Sequence, residues 1–229
     1  MSSRRFDILD AWRTLAILLM IAYHFLYDLY IFDVISASQL FSTPLNILER
    51  FTCGSFILLA GASARFSRNN LRHGLLVLAA GLAVEIGAAV AGQIIRWGVL
   101  MLLGTSMAVW HFWGKYLERI QPAVLGSGAF VLFFAARAWT ARVTAPVSWL
   151  YPLGFTAPGF YSADYFPLFP WFFLFLMGTV LGGWCLERRE RRLLTLALPK
   201  ALTWPGRHSL LIYILHQPVL YGISFLIWG

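Results

Sequence analysis

Arg13 and His24 stand ten residues apart on a strongly apolar run, and Asp28 follows His24 by four positions. At about 100° per residue this spacing returns Arg13 and His24 to nearly one helical face, with Asp28 about 40° further round. An ionisable side chain at the bilayer centre costs about 2.5–3.5 kcal/mol on insertion scales, so a stripe of three belongs against protein or a wet cavity. The chemistry open to such a set is proton transfer. An imidazole can serve as general base while a carboxylate one turn away orients its ring and stabilises the protonated form.

The elements that must hold this stripe are set by composition. Of 229 residues, 59% are hydrophobic and 12% charged, and the mean hydropathy is +0.70, outside the usual range for soluble domains. The chain reads as an integral membrane protein. Apolar runs near spanning length recur at residues 14–32, 45–64, 74–90, 97–112, 122–136, 168–186 and 209–228. Glu49 and Arg50 interrupt the second run, and the fifth is short.

Basic residues test this division, because retained Lys and Arg mark cytoplasmic loops. With the N-terminus inside, Arg4, Arg5, Arg13, Arg65, Arg68, Arg72, Lys115, Arg119, Arg188, Arg189, Arg191, Arg192, Lys200 and Arg207 fall on the cytoplasmic side, 14 of 18. Only Arg50, Arg96, Arg137 and Arg142 lie outside. Losing one helix would destroy the alternation. The expected fold is therefore all-α: a polytopic membrane bundle of about seven transmembrane helices, N-in and C-out, forming a single domain over residues 1–229. The net charge of +8 sits in membrane-flanking loops, where the lipid bilayer with its anionic headgroups is the natural partner and nucleic acid is unnecessary. The run 187–192 reads as a stop-transfer anchor. Arg4 and Arg5 precede the first run as in a signal peptide, but that run is longer than an ordinary apolar signal core and is broken by His24 and Asp28, which suits a retained helix. Cys53 belongs near the outer surface and Cys185 near the inner one, so the two are not expected to pair.

The longest segments outside the spans are about 137–167 and 187–208, so any active site is built from helices. Counting 1.5 Å per residue from the cytoplasmic surface puts His24 and Glu85 about 16 Å deep, His216 about 12 Å and Asp28 about 22 Å. Each of these has a structural alternative, such as a hydrogen bond across a helix interface. Together they point to a functional cavity. Arg13 lies toward the cytoplasmic side with Arg65, Arg68, Arg72 and Arg207; these suit a phosphate, and the loop arginines also suit orientation signalling alone. Asp164 stands among Trp149, Tyr151, Tyr161, Tyr165 and Trp171, a set able to stack on a sugar ring or to form an interfacial aromatic belt. Gly178 with Gly182, and Gly54 with Gly61, mark close helix packing, with a homodimer contact as the other use. No metal is expected, because His24 and Asp28 lack a third ligand nearby.

The run Leu9-Asp10-Ala11-Trp12-Arg13-Thr14-Leu15-Ala16 leading to His24 resembles the opening of the transmembrane acyltransferase superfamily, with its Arg-x10-His spacing. Gly206-Arg207-His208-Ser209-Leu210 and Tyr213-Ile214-Leu215-His216-Gln217-Pro218 resemble its closing helix. Tyr23-His24-Phe25-Leu26-Tyr27-Asp28-Leu29, Arg96-Trp97-Gly98-Val99-Leu100 and the segment from Ser162 to Trp171 resemble the bacterial heparan-alpha-glucosaminide N-acetyltransferase catalytic-domain-like family. The likeness covers almost the whole chain. It departs at Met101, where related bacterial sequences carry His. It departs also in having His24 where the animal enzyme has an amide, so the role of His24 follows the wider superfamily pattern.

The resemblance implies an enzyme of the bacterial inner membrane that moves an acetyl or similar acyl group from cytoplasmic acetyl-CoA or another acyl-CoA to an outer acceptor, a small molecule or a glycan. His24 then acts as base or is transiently acylated, Asp28 orients it, and His216 polarises the thioester carbonyl or holds the acceptor. Arg13, Arg65, Arg68, Arg72 and Arg207 would meet the coenzyme; Asp164, Tyr165, Trp171 and Glu85 would meet the acceptor. Two rival classes share the buried polar set: a proton-coupled transporter, for which no interrupted pair of corresponding segments is apparent, and a non-catalytic membrane subunit with the same fold.

Overall fold

Helices form along this chain because a backbone in hydrocarbon must satisfy its own polar groups, and the apolar runs are long enough to do so. The computed structural model describes residues 6–188, 190, 191, 194 and 196–229. Arg4, Arg5, Arg189 and Arg192, used above for orientation, lie outside the described residues. In chain order the helices are α1 (Asp7–Ile31), α2 (Ala37–Leu40), α3 (Thr43–Phe66), α4 (Asn70–Val90), α5 (Val99–Leu117), α6 (Pro122–Thr140), α7 (Leu168–Glu187), α8 (Lys200–Arg207) and α9 (Ser209–Trp228), with a short 3-10 turn at Ser148–Leu153. No strand occurs among the described residues.

All seven expected runs are helical. Six of them, α1, α3, α4, α6, α7 and α9, are long and apolar enough to cross a bilayer, and the chain is an integral membrane protein. The remaining helix, α5, has the length, but His111 and Lys115 fall in its last turns and dilute its apolar character. The short helices α2 and α8 were not anticipated. Ser36 and Gln39 form a reciprocal capping box that starts α2, and α8 begins directly after Pro199, whose ring is pre-set for a helix start.

The chain divides into two compact units. The first holds α1, α2, α3 as far as Phe56, α8 and α9; the second holds α3 from Ile57 together with α4 to α7. In the first unit α1 packs against both α8 and α9. Gly206 of α8 lies so close to the backbone carbonyl of Asp10 that any Cβ there would collide with it. In the second unit α4 packs on α5 and α6 on α7. There Gly61 of α3 and Gly178 of α7 meet backbone to backbone, each leaving no room for a side chain. Lipid offers apolar groups as good a neighbour as protein does, so such close approach supplies the packing energy that burial supplies in water.

Candidate active site

The first unit brings α1 and α9 together at two imidazoles. His24 Nδ1 lies 2.5 Å from His216 Nε2, with ring centroids 4.7 Å apart and planes within 17°. The other nitrogen of His216, Nδ1, lies 2.6 Å from the Tyr213 carbonyl oxygen. A carbonyl only accepts, so Nδ1 of His216 carries the hydrogen and, in the neutral ring, Nε2 is the lone-pair nitrogen. His24 must then donate from Nδ1, which leaves Nε2 of His24 as a bare, basic nitrogen. The chain of donors runs His24 Nδ1–H to His216 Nε2, and His216 Nδ1–H to the Tyr213 carbonyl. His216 is buried, 8% exposed, whereas His24 keeps partial access. Pro218 lies inside α9 two residues beyond His216, where its missing N–H loosens the helix ladder.

This geometry bears on two expected roles. Both ring nitrogens of His216, the residue expected at a thioester carbonyl or the acceptor, are hydrogen-bonded in this structure. Asp28 does not orient His24: its Oδ1 accepts from Nε2 of Gln217 at 2.7 Å. The reason is that His24 turns Nδ1 toward α9, and Asp28, about 40° further round α1, meets the next residue of α9 instead. Asp28 is 0% exposed, and Asp28 Oδ2, Gln217 Oε1 and Ser224 Oγ are buried side-chain oxygens without a hydrogen-bond partner. Gln217 escaped the sequence reading because a glutamine beside a histidine carries no signal alone. Tyr23 sets its ring 6.4 Å from that of His24 and interacts electrostatically with Glu49 and Cys53 of α3. Sequence reasoning had used Glu49 only as an interruption of a span.

The arginines expected at a coenzyme fall into three groups. Arg13 Nη1 donates to Asp10 Oδ1 at 2.9 Å and to the Gly206 carbonyl at 3.4 Å. Arg207 donates from Nε to Asp10 Oδ2 at 3.0 Å and from Nη2 to Asp7 Oδ1 at 2.7 Å. Asp7 Oδ2 also accepts the Leu198 N–H at 3.1 Å, and Thr14 Oγ1 accepts the Gly206 N–H at 2.9 Å while donating to the Asp10 carbonyl at 3.1 Å. Arg13 and Arg207 thus balance Asp7 and Asp10, and the four bind α8 to the first turns of α1. The hydrogen bond that Arg207 donates to Asp10 holds its guanidinium above the ordinary arginine range. Arg13 and Arg207, expected at a phosphate, are bonded to these carboxylates in this structure. In the second unit Arg65 pairs with Glu118 at 2.6 Å. Arg68 and Arg72 are exposed, with no carboxylate partner among the described residues.

The residues expected to meet an acceptor all lie in the second unit, where Glu85, Asp164 and Tyr165 hydrogen-bond to the backbone and Trp171 packs among rings. Glu85 Oε1 accepts the N–H of Trp97 at 2.7 Å and that of Gly98 at 3.3 Å. Asp164 Oδ2 accepts the Val99 N–H at 3.2 Å. Both carboxylates sit at the start of α5, where unpaired N–H groups and the helix dipole favour negative charge. They brace Trp97, whose φ of +58° is a left-handed conformation that non-glycine residues rarely adopt. Tyr165 donates from its hydroxyl to the Tyr151 carbonyl at 2.7 Å. Burial, with a smaller contribution from Tyr151, pushes its phenol up to about 12. Trp171 packs against Phe166 and Phe133, with centroids 5.2 and 5.7 Å apart. Met101, the departure noted above, lies on α5 against Gly81 of α4.

A family model described as heparan-alpha-glucosaminide N-acetyltransferase, catalytic, matches residues 5–218. No curated protein matches the chain, and no solved structure does.

Proposed function

We propose that this chain, which belongs to the heparan-alpha-glucosaminide N-acetyltransferase catalytic family, is a membrane acyltransferase in which His24 is the general base. The observation that carries this reading is the hydrogen-bond chain that leaves Nε2 of His24 bare while His216 receives Nδ1–H. Acyl transfer needs a base that can take a proton from the acceptor and return it to the leaving group.

In the proposed reaction the donor is acetyl-coenzyme A and the acceptor an amine or hydroxyl of a sugar. Nε2 of His24 takes the acceptor's proton as its nitrogen or oxygen attacks the thioester carbonyl carbon. The imidazolium so formed is steadied by His216 at Nδ1–H, the part that a third group plays in other base-assisted transfers. The tetrahedral adduct then breaks its C–S bond, and the departing thiolate takes the proton from Nε2. The resting state of His24 returns with no net change in protons. The proposed direction is from cytoplasm to the outer side of a bacterial inner membrane, in keeping with the distribution of basic residues.

The test uses purified protein, acetyl-coenzyme A labelled in its acetyl group, and glucosamine. Label is expected to move to the amino sugar. Solute flux across proteoliposomes in the absence of any acyl donor, without transfer of label, would make the protein a carrier instead.

A further inference from the structure

Beside the histidine pair lies a second polar pair that the reaction above does not use. Asp28 of α1 and Gln217 of α9 are joined by one bond, Gln217 Nε2 to Asp28 Oδ1 at 2.7 Å. Their other oxygens, Asp28 Oδ2 and Gln217 Oε1, are both buried with no hydrogen-bond partner. Both are acceptors when the carboxyl is ionised, so neither can satisfy the other. A carboxylate fully enclosed in a membrane span needs a cation beside it, and no Lys or Arg pairs with Asp28 among the described residues. His24, one turn back on α1, and His216, beside Gln217 on α9, are bonded to each other.

A carboxylic acid and a primary amide resolve this together. With a hydrogen on Oδ2 the acid donates to the amide oxygen while its other oxygen accepts from the amide nitrogen, closing a ring of two hydrogen bonds. A single proton converts two orphaned acceptors into one satisfied bond and removes the buried charge. Enclosed carboxylic acids kept neutral so that they can donate are an established device of active sites. We propose that Asp28 carries a proton on Oδ2 and forms a two-bond acid–amide clamp with Gln217, making Asp28 and Gln217 positioning residues that set α9 in register with α1 at the histidine pair.

Protonation of Asp28 does not depend on the acyltransferase reading, and the test separates them. Infrared spectra of the whole protein in detergent at neutral pH are expected to show the C=O stretch of a protonated carboxyl. That band should shift when the protein is labelled with 13C-carboxyl aspartate and vanish in Asp28→Asn. Isotope labelling needs no variant, so a failure of Asp28→Asn to fold does not affect it. A spectrum in which labelled aspartate contributes only carboxylate bands overturns the proposal, whether or not the protein transfers acyl groups. For turnover, Asp28→Asn keeps a donor and an acceptor for Gln217 and is expected to lose less than Gln217→Leu, with an unshifted pH profile. Gln217→Leu breaks both bonds and is expected to lower kcat about 100-fold, as a misplacement of about 1 Å would. Full loss in Asp28→Asn with an intact Gln217→Leu contradicts the clamp.

Discussion

At the scale of the residue, the hydrogen-bond direction in the histidine pair fixes which nitrogen can act. Because His216 gives Nδ1–H to the Tyr213 carbonyl, it can only receive from His24, and His216→Ala removes that receiver. Its kcat is expected to fall by about 100-fold or more while KM for the donor changes little, as when the orienting member of a catalytic triad is lost. Steady-state kinetics on purified protein check this; an unchanged kcat would mean His24 needs no partner. Tyr165 gives a prediction about pH. Its phenol is pushed up to about 12 by burial, above the ordinary value near 10, so the neutral form is favoured in the fold. The stability it contributes is complete below about pH 10 and is lost as pH rises from about 10 toward about 12. Tyr165→Phe should lose this alkaline slope and, with the Tyr151 carbonyl left bare, about 1–3 kcal/mol at neutral pH. Denaturation of both proteins in detergent between neutral and alkaline pH measures the difference. A wild-type slope that persists in the variant would assign the titration to another group.

At the scale of the element, the apolar runs were legible because length and hydrophobicity are local properties, and each of the seven appears as a helix. The Arg-x10-His spacing was legible too, since it follows from one helix alone. What sequence could not supply was the partner of each polar group. Arg13 and Arg207 read as phosphate ligands because Asp10, which binds both, lies three residues from one and 197 from the other. Glu85 and Asp164 read as site carboxylates, although the helix start that they brace is set by the fold around Trp97 and not by their own neighbours. The docking of α8 on α1 yields a sharper test. Gly206→Ala drives a Cβ into the Asp10 carbonyl and is expected to cost about 1–3 kcal/mol, the usual range for overpacking. Gly222→Ala, in α9 with nothing near its added carbon, should be neutral or slightly stabilising. Thermal unfolding in detergent distinguishes the pair, and equal behaviour would mean α8 is not held by close contact at Gly206.

At the scale of the whole molecule, charge and helix count meet in one question. Six helices qualify as spans, and α5 is the seventh candidate. Seven spans put the two termini on opposite sides of the membrane; six put them on the same side. The alternation of basic residues favours seven, so a reporter fused after Gly229 is expected to be active only outside, with an N-terminal tag reachable only from the cytoplasm. Reporters on the same side would remove α5 from the membrane and reverse the charge argument beyond it. The account rests most heavily on the bare Nε2 of His24, and the measurement that tests it most directly is acetyl transfer by His24→Ala beside the wild type at saturating donor and acceptor. Transfer is expected to fall by about 100- to 10,000-fold, the usual contribution of a general base, in a variant that still shows the wild-type helical spectrum. Turnover equal to wild type would contradict the account.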